Sequence, residues 1–324
     1  MPHRILLCRP LHEAGTAVLR ARPDVEIVTL NGPDTTEFHQ ALSGSDAVLL
    51  WLEPLDRAAL AAAPRLRCAA RLGVGYDTVD VAACSERGIP VMVVNGTNDL
   101  AVAEHAMMLM LCVAHRGAEA DRAVRAGEWW GAEGPGIVEL AGRSVLVVGY
   151  GRIGTRVAQY CKAFHMRVMV LDLNFHPARI AADGFVPVRD LHAGLREADV
   201  VTLHCPLGPA TRHLMNAAAF AALKPGAILV NTCRGPVVDE AALLAALRSG
   251  RLRGAGLDVL EVEPARRDNP LFGEPNVVLS PHNAGATEES LARMARQAAR
   301  NMLDALDGTP DPAMMVNPEI LRGR

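Results

Sequence analysis

Residues 145–161 read VLVVGYGRIGTRVAQYC, passing from four apolar, strand-favouring residues through Gly149, Gly151 and Gly154 into a helix-like run. The pattern GxGxxG is weak alone and takes its meaning from this strand-to-helix setting. The first glycine permits a tight turn, the second lets the main chain approach a pyrophosphate, and the third lets helix and strand pack closely, with the anion at the helix N-terminus. Backbone N–H groups of Arg152 and Ile153 would face that anion. The next strand ends in Asp172, 18 residues after Gly154, close to the spacing at which a carboxylate accepts hydrogen bonds from an adenosine ribose. Its charge would repel a 2′-phosphate, and Leu173 and Asn174 offer no cation to receive one. The segment therefore predicts NAD rather than NADP.

Outward from this loop, apolar runs alternate with alanine-rich helical stretches. Upstream lie ILLC (5–8), VEIV (25–28), AVLL (47–50), LRCAAR (66–71) and VMVV (91–94); downstream lie RVMVLDL (167–173), DVVTLHC (199–205), AILVNTC (227–233), GAGLDVL (254–260) and NVVLS (276–280). Such alternation predicts α/β architecture, with parallel sheets covered by helices on both faces. A helical segment from about Leu100 to Gly127 separates the two series, so two sheets are expected, and 324 residues at about 150 per domain give the same count. The last helix, about Thr287 to Leu306, fits either domain. Met107, Met108 and Met110 are read as core or dimer packing.

Half of the residues are hydrophobic and 21% charged, and the net charge of -3 comes with dispersed basic residues. A nucleic-acid backbone or an anionic membrane calls for a basic stripe, so neither is expected as a partner. MPHRILLC is too short for a signal peptide and Ala106–Ala114 too short to span a bilayer, which predicts a cytoplasmic protein. Seven cysteines form no CxxC pair, and Cys8, Cys112 and Cys161 lie in apolar segments, so neither disulfides nor structural zinc is expected. No His, Asp and Glu cluster has metal-ligand spacing.

Open α/β sheets bind ligands outside the carboxyl ends of their strands. Three successive strand ends there carry chemistry: AILVNTC leads to Arg234 and Gly235, GAGLDVL carries Asp258 and leads to Glu263 before Pro264, and NVVLSPH ends on His282. At these positions the sequence resembles the D-2-hydroxyacid dehydrogenase family, which includes phosphoglycerate, glycerate and formate dehydrogenases. GYGRIG, LKPGAILVNTCRGPVVDEAAL, GAGLDVLEVEP and SPHNAGAT occur in the expected order, with GVGYDTVD and AVAEH upstream, so the likeness covers nearly the whole chain. It implies two Rossmann-like doubly wound parallel-sheet domains with a cofactor cleft between them. Residues 100–284 would form the NAD-binding domain, and 1–99 with 285–324 a flavodoxin-like substrate domain.

The implied reaction interconverts a 2-keto acid and a D-2-hydroxy acid. Arg234, permanently charged and planar, would fork between the substrate carboxylate and carbonyl oxygens. His282 would be the general acid in reduction and the base in oxidation, because an imidazole exchanges its proton near neutral pH. Glu263 would orient that ring and favour its charged form, although Glu261, two residues earlier, competes for the role. The resemblance also places Asp258 at the nicotinamide end, Cys205 and Cys233 beside the coenzyme, and the backbone of Val74 and Gly75 at the substrate carboxylate. His105 and His204 read as core or surface residues.

Relatives narrow the substrate. Formate dehydrogenases carry glutamine where Glu263 stands, and phosphite dehydrogenases carry lysine where Val74 stands. Phosphoglycerate enzymes tend to place an arginine in the loop that here reads LLWLEP. An unphosphorylated 2-keto acid is therefore expected, with a small or apolar side chain near Leu50, Trp51 and Leu52, while Arg71 leaves room for an anionic one. Phosphoglycerate dehydrogenase, or an NAD(H)-sensing co-repressor like the C-terminal-binding proteins, is the alternative. The resemblance further implies a homodimer through residues 100–125 and an arm around Trp129 and Trp130.

Overall fold

The structure, a computed structural model, describes residues 2–129 and 136–323. Trp130, expected in the dimer arm, lies outside the described residues. Contacts divide the chain into two compact units, Met1–Asn98 with Ala286–Arg324, and Asp99–Gly285.

In the first unit, β1 (His3–Leu7), β2 (Val25–Thr29), β3 (Ala47–Leu50), β4 (Cys68–Arg71) and β5 (Val91–Met92) form a parallel sheet in the order β2-β1-β3-β4-β5. All four residues of β3 and of β4 are buried, which is why these strands read as unbroken apolar runs rather than as alternating patterns. Between the strands run α1 (Glu13–Arg20), α2 (Thr35–Leu42), α3 (Arg57–Ala61) and α4 (Val81–Glu86). The C-terminal helix (Glu288–Leu306) belongs to this unit: its Met294, Ala298, Ala299 and Met302 pack with Ile5, Leu7, Leu49 and Ala70. Gly15 in α1 allows the approach, since a Cβ there would stand 2.6 Å from Ala295 O. Thr287 caps that helix by accepting from Ser290 N, and Glu288 and Glu289 complement the positive end of its dipole.

The second unit opens with α5 (Asp99–Ala114) and α6 (Gly117–Arg125). The sequence predicts one continuous helix here; the chain instead breaks at Arg116, whose φ of 53° is left-handed and incompatible with helix propagation. Met107 and Met110 enter the core, whereas Met108 is 40% exposed. Seven parallel strands follow: β6 (Ser144–Val148), β7 (Arg167–Leu171), β8 (Val186–Val188), β9 (Val200–Leu203), β10 (Ala227–Asn231), β11 (Leu252–Leu257) and β12 (Val277–Leu279). Their order is β12-β11-β10-β9-β6-β7-β8, with α7 (Arg152–Ala163), α8 (Pro177–Ala182), α9 (Leu191–Glu197), α10 (Ala217–Ala222) and α11 (Glu240–Arg248) in the connections. The sequence predicts six strands. β8 escapes because it is three residues long and centred on Pro187, which only an edge strand tolerates. The strand order reverses between β6 and β9, so a crevice opens beyond their carboxyl ends, where such folds receive ligands.

Candidate active site

The glycine loop follows β6 at that reversal, and its three glycines answer to three different constraints. Gly149 has φ of 98° and lies against the chain after β9; a Cβ would meet His204 C and O at 2.6 Å and Cys205 N at 2.7 Å. A Cβ on Gly154 would collide with Gly149 O, so this residue sets how closely α7 approaches β6. Gly151 differs. Its φ of -79° and ψ of -160° suit any residue, and a Cβ would meet nothing within 4 Å. No neighbour in the chain demands glycine there; the space it leaves open fits an outside group. Gly151 is the N-cap of α7 and makes no side-chain capping bond, so the helix begins with N–H groups directed at that space. Arg152 at the first helical position is exposed, and Ile153 packs inward.

Asp172, just past β7, accepts from Tyr150 N and, at 2.7 Å, from Asn174 N, tying the second strand end to the glycine loop. The Tyr150 ring is buried, with its hydroxyl donating to Asp183 Oδ2 at 2.7 Å and the Arg179 guanidinium over its face at 5.3 Å. The loop is thus braced on both sides. The residues fit the pyrophosphate and ribose of NAD. Accordingly, Gly151→Ala is expected to keep the thermal midpoint within about 2 °C while weakening NADH binding at least about tenfold, whereas Gly154→Ala lowers the midpoint itself. Fluorescence titration with NADH beside a thermal scan separates the two. Undiminished NADH affinity in Gly151→Ala would refute the assignment of that space.

The acid-base constellation is assembled at the ends of β10, β11 and β12. Asn231 closes β10, and its side chain shapes the next turn: Oδ1 accepts Cys233 N at 3.0 Å and Nδ2 donates to Arg234 O at 3.0 Å. Arg234 itself is extended and anchors one guanidinium nitrogen on Cys233 O at 2.7 Å. Gly235 then lies so close to the loop after β11 that a Cβ would overlap Leu260 O. In that loop Glu263 Oε1 accepts Leu260 N at 2.9 Å, while Oε2 meets His282 Nδ1 at 2.6 Å. The His282 and Glu263 side chains are 32% and 24% exposed, so the pair is partly shielded yet reachable. Burial pushes the Glu263 carboxyl up, but the hydrogen bond and charge of His282, the Leu260 N–H and the charge of Arg234 outweigh it and hold the group below the usual carboxylate range. With Nδ1 on a carboxylate, Nε2 is the nitrogen left to exchange a proton with a ligand. Glu261, the competing partner, turns the other way and binds His213 Nε2 at 2.6 Å, with Arg212 3.9 Å off.

His282 adopts φ of 53°, costly for a side-chain-bearing residue, and its N–H donates to Asp258 O at 2.8 Å. The Asp258 carboxylate is 1% exposed and holds the same loop from beneath, accepting Ser280 Oγ at 2.6 Å, Asn283 N at 3.0 Å and Ala284 N at 2.9 Å. A carboxylate has about four acceptor positions, so this residue, expected at the nicotinamide end of a coenzyme, has little left for it. Ser280 Oγ also meets His105 Nε2 at 2.8 Å. His105, read from sequence as core or surface, thus joins the support of the His282 loop; its one signal was the motif AVAEH. His204 does not join: Nε2 meets Thr202 Oγ1 at 2.8 Å, and burial pushes the imidazole down to about 3, keeping it neutral. Cys205 is 5% exposed and Cys233 half-buried, and both pack in the cluster beneath the carboxyl ends of β9 and β10.

In the first unit, Val74 and Gly75 are half-buried and Arg71 Nε donates to Gly75 O at 2.9 Å, so a buried guanidinium sets their loop. Leu50, expected to touch substrate, is instead fully buried among Leu6, Cys8 and Leu55, because it closes a central strand covered on both faces. The surface falls to Trp51 and Leu52, whose N–H groups Glu53 Oε2 gathers at 2.7 and 3.1 Å. Arg9 pairs with Glu53 at 3.7 Å and stands 5.9 Å from the Trp51 ring centre.

Among the described residues no group of three or more His, Cys, Asp or Glu could hold a metal ion, and no helix is long and apolar enough to cross a membrane. Residues 107–284 match the family model for the NAD-binding domain of D-isomer specific 2-hydroxyacid dehydrogenases. The chain is 36% identical to a glyoxylate reductase of Korarchaeum cryptofilum over all of its own length and 98% of the relative's. It is 39% identical to a D-3-phosphoglycerate dehydrogenase of Mycobacterium leprae, matching 94% of this chain and 57% of that protein. A D-lactate dehydrogenase of Aquifex aeolicus, solved with NAD and lactic acid, superposes with a TM-score of 0.85 at 27% identity, covering 99% and 98% of the two chains.

Proposed function

This chain belongs to the D-isomer specific 2-hydroxyacid dehydrogenase family and is an NAD-dependent oxidoreductase of 2-hydroxy acids, and from that premise we propose that Arg234, Glu263 and His282 carry its chemistry. Bound at the glycine loop, NAD supplies the hydride donor or acceptor. In reduction, His282 Nε2 gives its proton to the carbonyl oxygen as that oxygen becomes the hydroxyl, and Glu263 balances the charge the ring carries beforehand. In oxidation the neutral ring takes the hydroxyl proton. Arg234 binds the substrate carboxylate and polarises the carbonyl. The 2.6 Å bond between Glu263 and His282, close enough to Arg234 for its charge to bear on Glu263, is the observation that carries this reading.

For substrate we propose a short, unphosphorylated 2-keto acid, with Trp51 and Leu52 as its apolar wall. The loop between β3 and α3 carries apolar Trp51 and Leu52 and no arginine, which supports this choice. Following NADH absorbance against glyoxylate, hydroxypyruvate, pyruvate and their phosphorylated counterpart 3-phosphohydroxypyruvate is expected to favour an unphosphorylated acid at least tenfold in kcat/KM, roughly 1.4 kcal/mol. Equal or better use of the phosphorylated acid would return the phosphoglycerate reading. The exposed Leu100, Met108, Val124 and Trp129 are the apolar surface on which we base a homodimer.

A further inference from the structure

We propose that Cys205 and Cys233 form a reversible oxidation site, at which a peroxide converts the two thiols to a disulfide that disables the coenzyme site and a thiol reductant restores it. Adjacency comes from the sheet. β9 and β10 are parallel neighbours with Leu203 opposite Asn231, and each cysteine lies two residues past its member of that pair, in the loops that leave one end of the sheet. Neighbouring strands run about 4.8 Å apart, within the range of Cα separations that a disulfide spans. Both side chains pack in the same buried cluster.

Chemistry sets this pair apart from the other thiols. Burial pushes Cys68 and Cys161 up to about 12 and Cys84 to about 11, which leaves them protonated and inert. At Cys205 the hydrogen bond from Cys233 outweighs burial and the charge of Asp172, and draws the thiol below the usual cysteine range. Cys233 donates to Asn231 Oδ1 at 3.1 Å and burial pushes its thiol up, so it is the protonated partner of the pair; its half-buried side chain gives a small oxidant a route. The Cys205 thiolate attacks one peroxide oxygen; an S–O bond forms, the O–O bond breaks, and the hydroxide released takes up the proton that Cys205 gave up, leaving as the first water. Cys233 sulfur then attacks Cys205 sulfur, the S–S bond forms, the S–O bond breaks, and the second water carries away the Cys233 proton. Two thiols are oxidised and one peroxide is reduced.

The consequence follows from what the two residues hold. Cys205 N is the atom against which Gly149 packs, and Cys233 O is the anchor of the Arg234 guanidinium. Turning Cys233 Sγ onto Cys205 also removes it from Asn231, whose side chain fixes the Arg234 turn. This effect on activity rests on the proposed roles of the glycine loop and Arg234; the disulfide itself does not. The test treats the complete protein with hydrogen peroxide and maps its peptides without reduction. A cross-linked 205–233 peptide, with NADH binding and turnover at least tenfold lower and both recovered by dithiothreitol, is expected. Cys205→Ser and, separately, Cys233→Ala, each scored against its own untreated rate, should lose the cross-link and most of the reversible inhibition. Wild type without that peptide, or variants inhibited reversibly to the same extent as wild type, would overturn the proposal. If the untreated protein fails to bind NADH, the coenzyme reading falls, and the peptide map still decides whether the site exists.

Discussion

Replacing His282 is expected to lower turnover by about 10²- to 10⁴-fold, roughly 2.7–5.5 kcal/mol in the barrier, with NADH affinity nearly unchanged. Proton delivery is the one role the ring fills that neither Arg234 nor Glu263 can take over: the guanidinium does not give up its proton, and the carboxyl, held below its usual range, is charged at neutral pH. The left-handed backbone at residue 282 complicates the alanine variant, since alanine at φ of 53° is itself unfavourable by about 1–2 kcal/mol. His282→Asn is the companion, because asparagine tolerates that conformation and cannot act as the acid. Steady-state kinetics at saturating NADH on both variants decides the matter; either one keeping more than about a tenth of the wild-type rate means the proton comes from elsewhere. Glu263→Gln tests the same arrangement: the ring loses the charged partner that orients it, so kcat should fall while NADH affinity is kept. The pair also bears on stability. A carboxyl lowered on folding stabilises the native state above its unfolded value, and that contribution is lost only as pH falls through the folded value, so the pair persists across the neutral range.

How much of this was readable beforehand depends on how local each signal is. The glycine loop was legible because turn, close approach and helix start are encoded within six residues. That Arg234, Asp258 and His282 stand at strand ends was legible because parallel strands deliver their carboxyl ends to one edge. Between Glu261 and Glu263 only the resemblance, through the place before Pro264, favours Glu263; which way the loop turns the two carboxylates depends on partners such as His213, 48 residues away from Glu261. His105 was missed for the same reason, since its tie to Ser280 spans 175 residues. Leu50 failed differently: a residue at a strand's end looks accessible in sequence, but the strand is central and its faces are covered. The break at Arg116 has only Gly117 beside it as a marker, a weak one because an isolated glycine is tolerated inside a helix and the left-handed residue itself is an arginine.

Arg234→Lys is expected to cost about 10²- to 10³-fold in kcat/KM although the charge is retained, roughly 2.7–4 kcal/mol. The turn that presents the residue is fixed from three sides, by Asn231 Nδ2 on its carbonyl, by Gly235 against Leu260, and by its own bond to Cys233 O. A guanidinium carries five N–H donors in a rigid plane, so a bond to Cys233 O does not cost it the fork geometry that a carboxylate and a carbonyl oxygen call for. An ammonium is a single point on a flexible stem: if it settles on Cys233 O it leaves the substrate, and if it reaches the substrate it abandons the orientation. Displacing a substrate by about 1 Å is enough for a 10²-fold loss. Because Arg234 acts on the carboxylate before and during reaction, KM should rise and kcat should fall together. Loss of KM alone would mean that it binds without aligning. NADH affinity and thermal midpoint should stay near wild type, since the glycine loop is built from other residues. A lysine variant within threefold of wild type in kcat/KM would remove the fork from the mechanism and leave Arg234 as a charge only.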